Sequence, residues 1–135
     1  GTGTKYYTLG FNNDKGGYAI RNKYFKGCLG NQYYTAFLNA PEEHLLIFEG
    51  FFDYLSYLEL FPNITATNSI ILNSKENFKS SIPIIKDFET IEYWGDADTA
   101  GTKLLKDIKE VASKVIDQRP LYFGCKDLNE FLQKK

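Results

Sequence analysis

Tyr93-Trp94-Gly95-Asp96-Ala97-Asp98-Thr99-Ala100-Gly101 sets two carboxylates one residue apart, between a short apolar-aromatic run and a long amphipathic pattern. The passage reads as a strand end, an acidic loop and a helix start. In an open α/β sheet, ligands bind just beyond the carboxyl ends of the strands, which is where such a loop lies. Two acidic groups held this close repel each other unless a cation or a proton sits between them. A hard divalent ion such as Mg2+, held by one or two carboxylates together with substrate phosphates, is the natural partner. The competing structural reading is that Asp96 ends a turn and Asp98 only caps the following helix. The D-x-D pair does not choose between the two by itself.

The surrounding pattern is a series of strand and helix pairs. Leu45-Leu46-Ile47-Phe48 is a continuous apolar run, the mark of a strand buried on both faces. It ends in Glu49-Gly50-Phe51-Phe52-Asp53, and a helical spacing over Tyr54–Leu60 then stops at Pro62. Ser69–Ser74 is the second strand, followed by a helix within Lys75–Asp87 that Pro83 is expected to break or start. Thr90–Gly95 is the third strand. The clearest helix follows, with Leu104, Leu105, Ile108, Val111, Ala112, Val115 and Ile116 on one face and Lys103, Lys106, Lys109 and Lys114 on the wet side. Arg119–Gly124 reads as the fourth strand and Asp127–Leu132 as a short last helix. Four such units in a row predict an α/β fold with a four-stranded parallel sheet and helices on both faces. The expected strand order is 2-1-3-4, which puts strands one and three about 5 Å apart.

That order brings Glu49 and Asp53, after strand one, to the same edge as Asp96 and Asp98, after strand three. The junction is the topological switch point of such a sheet. Four unpaired carboxylates there would cost several kcal/mol in repulsion and desolvation, so the arrangement calls for a divalent metal. Gly50, beside Glu49, lets a substrate backbone or phosphate approach closely. The single histidine, His44, has no Cys or His partner nearby and reads as structural or exposed.

Upstream, residues 5–27 read as a β-hairpin. Lys5–Phe11 and Tyr18–Arg21 flank Asn12-Asn13-Asp14-Lys15-Gly16-Gly17, a centre dense in residues that tolerate positive φ. Its arms mix Tyr6, Tyr7, Phe11, Tyr18, Tyr24 and Phe25 with Lys5, Lys15, Arg21, Lys23 and Lys26. Aromatics interleaved with cations can stack bases while tracking phosphates, although aromatics are also ordinary strand formers. Residues 28–44 show little periodicity, and the boundary of the main domain is expected near residue 40, giving a basic, aromatic segment over 1–40 and the α/β domain over 41–135. Residues 1–40 carry a net charge of +4 and residues 41–135 a net −5, within a whole-chain charge of −1. A basic front on an acidic body suits a protein that meets a polyanion at one end and metal ions at the other.

With 135 residues and 43% apolar content, the chain has enough material for one core, plus a small appendage. No apolar run approaches the roughly 20 residues of a membrane span and no signal-peptide pattern opens the chain. Cys28 and Cys125 form no C-x-x-C pair, which argues against a disulfide framework or a zinc knuckle and favours a reducing cytoplasm. The absence of methionine is read as the mark of a piece cut from a longer protein, with Gly1 as an expression scar.

Glu49-Gly50-Phe51-Phe52-Asp53 at a strand end, then Asp96-Ala97-Asp98-Thr99-Ala100-Gly101, then Lys126-Asp127-Leu128-Asn129-Glu130-Phe131-Leu132, resembles the TOPRIM domain shared by bacterial primases, type IA and II topoisomerases and some nucleases. The resemblance covers about Glu43 to Leu132 and is nearest the primase pattern E-G-x-x-D, D-x-D-x-A-G, K-D. The front, from Leu9-Gly10-Phe11 to Tyr24-Phe25-Lys26-Gly27, looks like the linking region of primase-like proteins on mobile elements of Bacteroides-type bacteria. It implies a Rossmann-like TOPRIM fold preceded by the β-hairpin, and metal-dependent nucleotidyl transfer making primers on single-stranded DNA. Glu49 would be the general acid/base or help hold a metal. Asp96 and Asp98 would coordinate Mg2+ (or Mn2+), and Asp53 and Asp127 would complete the acidic cluster. Two ions would hold the incoming triphosphate and polarise the attacking 3′-hydroxyl. Lys15, Arg21, Lys23, Tyr24 and Lys26 would hold the template. The implied partners are single-stranded DNA, nucleotides, and a replicative helicase or mobilisation proteins, with no membrane. The fragment is expected to be weakly active or inactive alone.

Two departures from the pattern matter. Asn129 stands where primases often carry a further acid, and Ala100 stands where topoisomerases continue D-x-D with one. No tyrosine stands out as a strand-cleaving nucleophile. The competing readings are a TOPRIM nuclease or topoisomerase-like enzyme, a catalytically silent nucleic-acid-binding module, and a flavodoxin-like receiver domain. The receiver reading leaves Glu49-Gly50 without a role and supplies Lys126 only after Gly124-Cys125.

Overall fold

The computed structural model describes residues 9–21, 26–38, 40–63 and 67–135. Three strands form an antiparallel meander at the front: β1 (Leu9–Asn12), β2 (Tyr18–Arg21) and β3 (Lys26–Leu29). The expected hairpin is present, with Asn12 opposite Tyr18. Its loop is organised by Asn13, whose side-chain oxygen accepts from the Lys15 and Gly17 amides and whose amide nitrogen donates to the Asn31 carbonyl. Gly16 supplies the positive φ of +77° that the turn needs. The third strand was not legible, because Lys-Gly-Cys-Leu is exposed throughout and carries no alternation. Lys5 to Thr8 of the first arm, and Lys23 to Phe25, lie outside the described residues.

The main sheet has five strands: β4 (Thr35–Phe37), β5 (His44–Phe48), β6 (Asn68–Ile71), β7 (Thr90–Trp94) and β8 (Lys114–Asp117), in the order β4-β6-β5-β7-β8. The four parallel strands follow the expected 2-1-3-4 arrangement, with β4 added antiparallel at one edge. Thr35–Phe37 precedes the boundary expected near residue 40, yet it is hydrogen-bonded into this sheet. The side-chain period of two divides the core cleanly. Leu45, Ile47, Ile91 and Tyr93 face α2 (Phe78–Lys86) and α3 (Thr99–Val111), while Leu46, Phe48 and Trp94 face α1 (Phe51–Leu60) and α4 (Leu128–Gln133).

Two expectations are corrected. The last strand is Lys114–Asp117, not Arg119–Gly124. The helix before it stops at Val111, where Ala112 turns to extended backbone, so Val115 and Ile116 belong to a β-branched strand rather than to the helix face. Arg119–Tyr122 is instead a turn of 3₁₀-helix begun by Pro120, with Tyr122 fully buried. Pro83 neither breaks nor starts α2 but lies within it. Pro83 and Lys79 are both exposed, so the carbonyl released by the missing N–H can turn to water.

The front sheet is fixed to the main one. Phe11 stacks on Phe51 at 5.3 Å between ring centres, the Thr35 hydroxyl donates to the Asn12 carbonyl, and Ala19 enters the core on the α1 side. Both cysteines are free, and among the described residues no helix is long and apolar enough to cross a membrane.

Candidate active site

Strands β5 and β7 run side by side with Phe48 opposite Trp94, so the residues that follow them emerge together. Glu49 leaves β5 and reaches across. Its Oε2 accepts from the Asp96 amide at 2.6 Å and from the Tyr93 hydroxyl at 3.0 Å. Gly50 is the extended N-cap of α1, and Asp53 lies in the first turn of that helix. Asp98 caps α3, its Oδ1 accepting from the Gly101 amide at 2.7 Å. A methyl group at Gly101 would overlap the Asp96 carbonyl, so the loop closes this tightly only with glycine there. Gly95 is constrained in the same way by the Tyr93 ring.

The third component comes from the C-terminal part of the chain. The Ala97 amide donates to the Lys126 carbonyl at 2.7 Å, which seats the loop before α4 against the D-x-D loop. Asp127 caps α4 through its Oδ1. The Asn129 amide donates to Asp53 Oδ1 at 3.1 Å, and the Ser56 hydroxyl reaches the Asn129 side-chain oxygen at 3.1 Å. The Asn129 backbone N–H therefore braces Asp53 between α1 and α4, while its side chain, which had suggested only a missing charge, accepts from Ser56. Tyr122 supports the other side, its hydroxyl donating to the Gly95 carbonyl at 2.6 Å.

One carboxylate oxygen each from Asp53, Asp96 and Asp127 lies within 4.8 Å of the others. Asp53 is only 5% exposed. Burial first, then the charges of Asp127, Asp96 and Glu49, push its carboxyl up to about 8 against the lowering effect of the Asn129 amide. Asp96 rises to about 7, from burial and then the charges of Glu49, Asp127 and Asp98, with Lys26 acting in the opposite sense. The ion pairs among the described residues, Lys103–Asp107, Arg119–Asp117 and Lys134–Glu130, leave the cluster's charge uncompensated. An all-oxygen, converging and overcharged donor set fits a hard divalent cation. Of the five acids marked from sequence, three converge, Glu49 ties the Asp96 loop to β5, and Asp98 is engaged as a cap.

Of the basic and aromatic candidates, Arg21 places its guanidinium 5.5 Å from the centre of the Phe52 ring, next to Asp53 in sequence. The Lys15 ammonium lies 4.5 Å from the Tyr33 ring centre. Lys26 opens onto a cavity it shares with Asn13, Gln32, Tyr33, Asn73 and Ser74. Lys23 and Tyr24 lie outside the described residues. His44 is exposed at the start of β5, away from the acids.

Arg119 was not singled out from sequence. Its guanidinium pairs with Asp117, donates to the Thr102 hydroxyl at 3.0 Å and to the Asp96 carbonyl at 3.3 Å, and so stiffens the acidic loop from behind. Its place behind β7 depends on where β8 ends, which the misplaced fourth strand concealed.

A profile of the family described as Toprim-like matches residues 46–132. The chain belongs to the Toprim-like family. All five acids lie within the matched span. A second profile, described as Domain of unknown function (DUF8464), matches residues 2–30, the front segment that precedes the Toprim-like core. No curated protein matches the chain by sequence. Among solved structures, the primase fragment of the bacteriophage T7 primase-helicase protein superposes with a TM-score of 0.68 at 20% identity. This chain is covered over 94% of its length and spans 57% of that fragment. A chain from the structure of bacteriophage T7 lagging-strand DNA polymerase interacting with primase domains of two gp4 subunits bound to an RNA/DNA hybrid and dTTP gives 0.67 at 21% identity, covering 94% of this chain and 70% of that one. These likenesses extend the shared fold through the front sheet as well as the Toprim-like core.

Proposed function

We propose that this chain is the catalytic-centre portion of a primase-like enzyme that carries out metal-dependent nucleotidyl transfer on single-stranded DNA. The observation that supports it most is the convergence of Asp53, Asp96 and Asp127 within 4.8 Å at the carboxyl edge of β5 and β7. Those three would hold Mg2+ or Mn2+, which when bound supplies charge stabilisation for triphosphate and phosphoryl oxygens. Glu49 positions Asp96 through its amide and stands at the edge where a general acid/base would act on a hydroxyl proton. Arg21 and Lys26 place positive charge on the front-sheet side of the cluster, where a phosphate backbone would lie. The likeness to T7 primase chains favours primer synthesis over other Toprim chemistry, and single-stranded DNA, nucleotides and a replicative helicase or mobilisation proteins as partners.

Calorimetric titration with Mg2+ and Mn2+, in the wild type and in Asp53→Asn with Asp96→Asn, tests the metal centre. Uptake by the wild type at millimolar ion and none by the variant is expected. Primer synthesis on a single-stranded template, set against nicking of duplex DNA, tests the reaction. Nicking without synthesis would replace the primase reading with a nuclease.

A further inference from the structure

The acids of the cluster account for one side of the D-x-D loop, and a second cavity opens on the other. It has a volume of about 870 Å³ and is lined by Asp98, Thr99, Thr102, Arg119, Phe123 and Lys126 among others. Phe123 is 92% exposed, the most exposed of the large apolar side chains described. The backbone that carries it is nevertheless braced on both sides. The residue before it, Tyr122, is fully buried and hydrogen-bonded to Gly95, and the residue after it, Gly124, turns the chain at a φ of +91°. The Phe123 amide donates to the Pro120 carbonyl, and the Cys125 amide donates to that of Tyr122. A ring held outward by a rigid turn differs from an apolar side chain stranded on a loose loop.

The chemistry around that ring is polar and mixed. Lys126 brings an ammonium group without an ion-pair partner among the described residues, and Thr99 and Thr102 bring hydroxyls. Arg119 is paired with Asp117, and Asp98 has one oxygen committed to its helix cap. An exposed ring beside an ammonium and two hydroxyls matches a unit that is flat and apolar on one side and anionic on the other. That unit is a nucleotide, its base stacked on the ring and its phosphate by Lys126. The cavity also shares Ala97, Asp98 and Lys126 with the two loops that carry Asp96 and Asp127, so a strand leaving the acids would enter it directly.

We propose that Phe123 is a stacking platform for one base of a single-stranded nucleic acid as it passes from the acidic cluster, with Lys126 holding the adjoining phosphate; this rests on the nucleic-acid reading above. A bound strand would then be gripped on both sides of the acids, by Arg21 and Lys26 on the front sheet and by this turn on the β8 side.

The test is fluorescence anisotropy with a labelled oligothymidylate, titrated at several salt concentrations, on the wild type and on Phe123→Ala, Phe123→Tyr and Lys126→Gln. Phe123→Ala is expected to weaken binding roughly 5- to 100-fold with an unchanged salt slope, and Phe123→Tyr to restore it. Lys126→Gln is expected to reduce the slope by about 0.7. Wild-type binding with Phe123→Ala within twofold of it overturns the platform and leaves the proposed function standing. A wild type that binds no strand at any salt overturns both. If Phe123→Ala instead abolishes self-association on a sizing column without changing strand affinity, the turn is a protein contact and the proposal is lost.

Discussion

Replacing Asp53 by asparagine should stabilise the metal-free protein at pH 8 and remove its stabilisation by Mg2+. The folded carboxyl is raised from 3.8 to about 8, so between those values the native state binds more protons than the unfolded chain. Stability of the metal-free wild type therefore falls as pH rises through that window, which is the reverse of a salt-bridged aspartate. A tenfold change in proton affinity corresponds to about 1.4 kcal/mol, and sharing the repulsion with Asp96 and Asp127 leaves a penalty of roughly 3–5 kcal/mol at pH 8. Asparagine keeps an oxygen for the Asn129 amide and removes the charge, so most of that penalty should disappear. At pH 5 the gap should shrink to about 1–2 kcal/mol, because there the unfolded carboxyl is already ionised while the folded one keeps its proton. Mg2+ at about a hundred times its dissociation constant should add about 2.7 kcal/mol to the wild type, roughly a 10 °C rise in melting temperature, and almost nothing to the variant. Melting curves at pH 5 and pH 8, with EDTA and with Mg2+, read all four quantities. A variant less stable than the wild type at pH 8 in EDTA would refute the electrostatic reasoning, as would an equal response of both proteins to Mg2+.

Other outcomes follow from the same geometry. Asp98→Asn should keep the α3 cap, leaving the melting temperature within about 2 °C, whereas Asp98→Ala should cost about 1 kcal/mol; comparing primer synthesis by the two separates the charge from the cap. Gly101→Ala should destabilise by roughly 2–4 kcal/mol and abolish metal uptake, because its methyl group displaces the Asp96 carbonyl; denaturant melts and calorimetry check both. Tyr122→Phe should cost about 1–3 kcal/mol in denaturant unfolding by leaving the buried Gly95 carbonyl without its donor. Asn129→Asp should tighten Mg2+ binding while lowering the EDTA melting temperature at pH 8, since it adds charge beside Asp53, which is already raised by its neighbours.

The parallel order of the main strands was legible because Leu45–Phe48 is apolar throughout and both it and Thr90–Trp94 are followed by acids at a helix start. That same regularity delivered Asp53 and Asp96 to one edge. What the sequence hid depended on tertiary partners. Val115 and Ile116 fit both a helix face and a short strand, and only the sheet beside β7 selects the strand. Thr35–Phe37 is too short to show a period and exists as β4 because β6 offers it an edge. Asn129 looked like a loss when judged by charge alone, since its role depends on Ser56 and Asp53 arriving from α1. Arg119 reads as a strand residue until β8 is seen to end before it.

The hydrogen bond from Ala97 to the Lys126 carbonyl also bears on when the centre can come into being. Asp53 lies in the first turn of α1, Asp96 in the loop after β7, and Asp127 immediately precedes α4. During synthesis the first two acids leave the ribosome well before the third, and an incomplete chain offers a cation only part of the set. Under the proposed metal-binding role, ion capture waits for completion of the α/β core. A chain halted before residue 127 would then present two of the three acids and lack the one that closes the set.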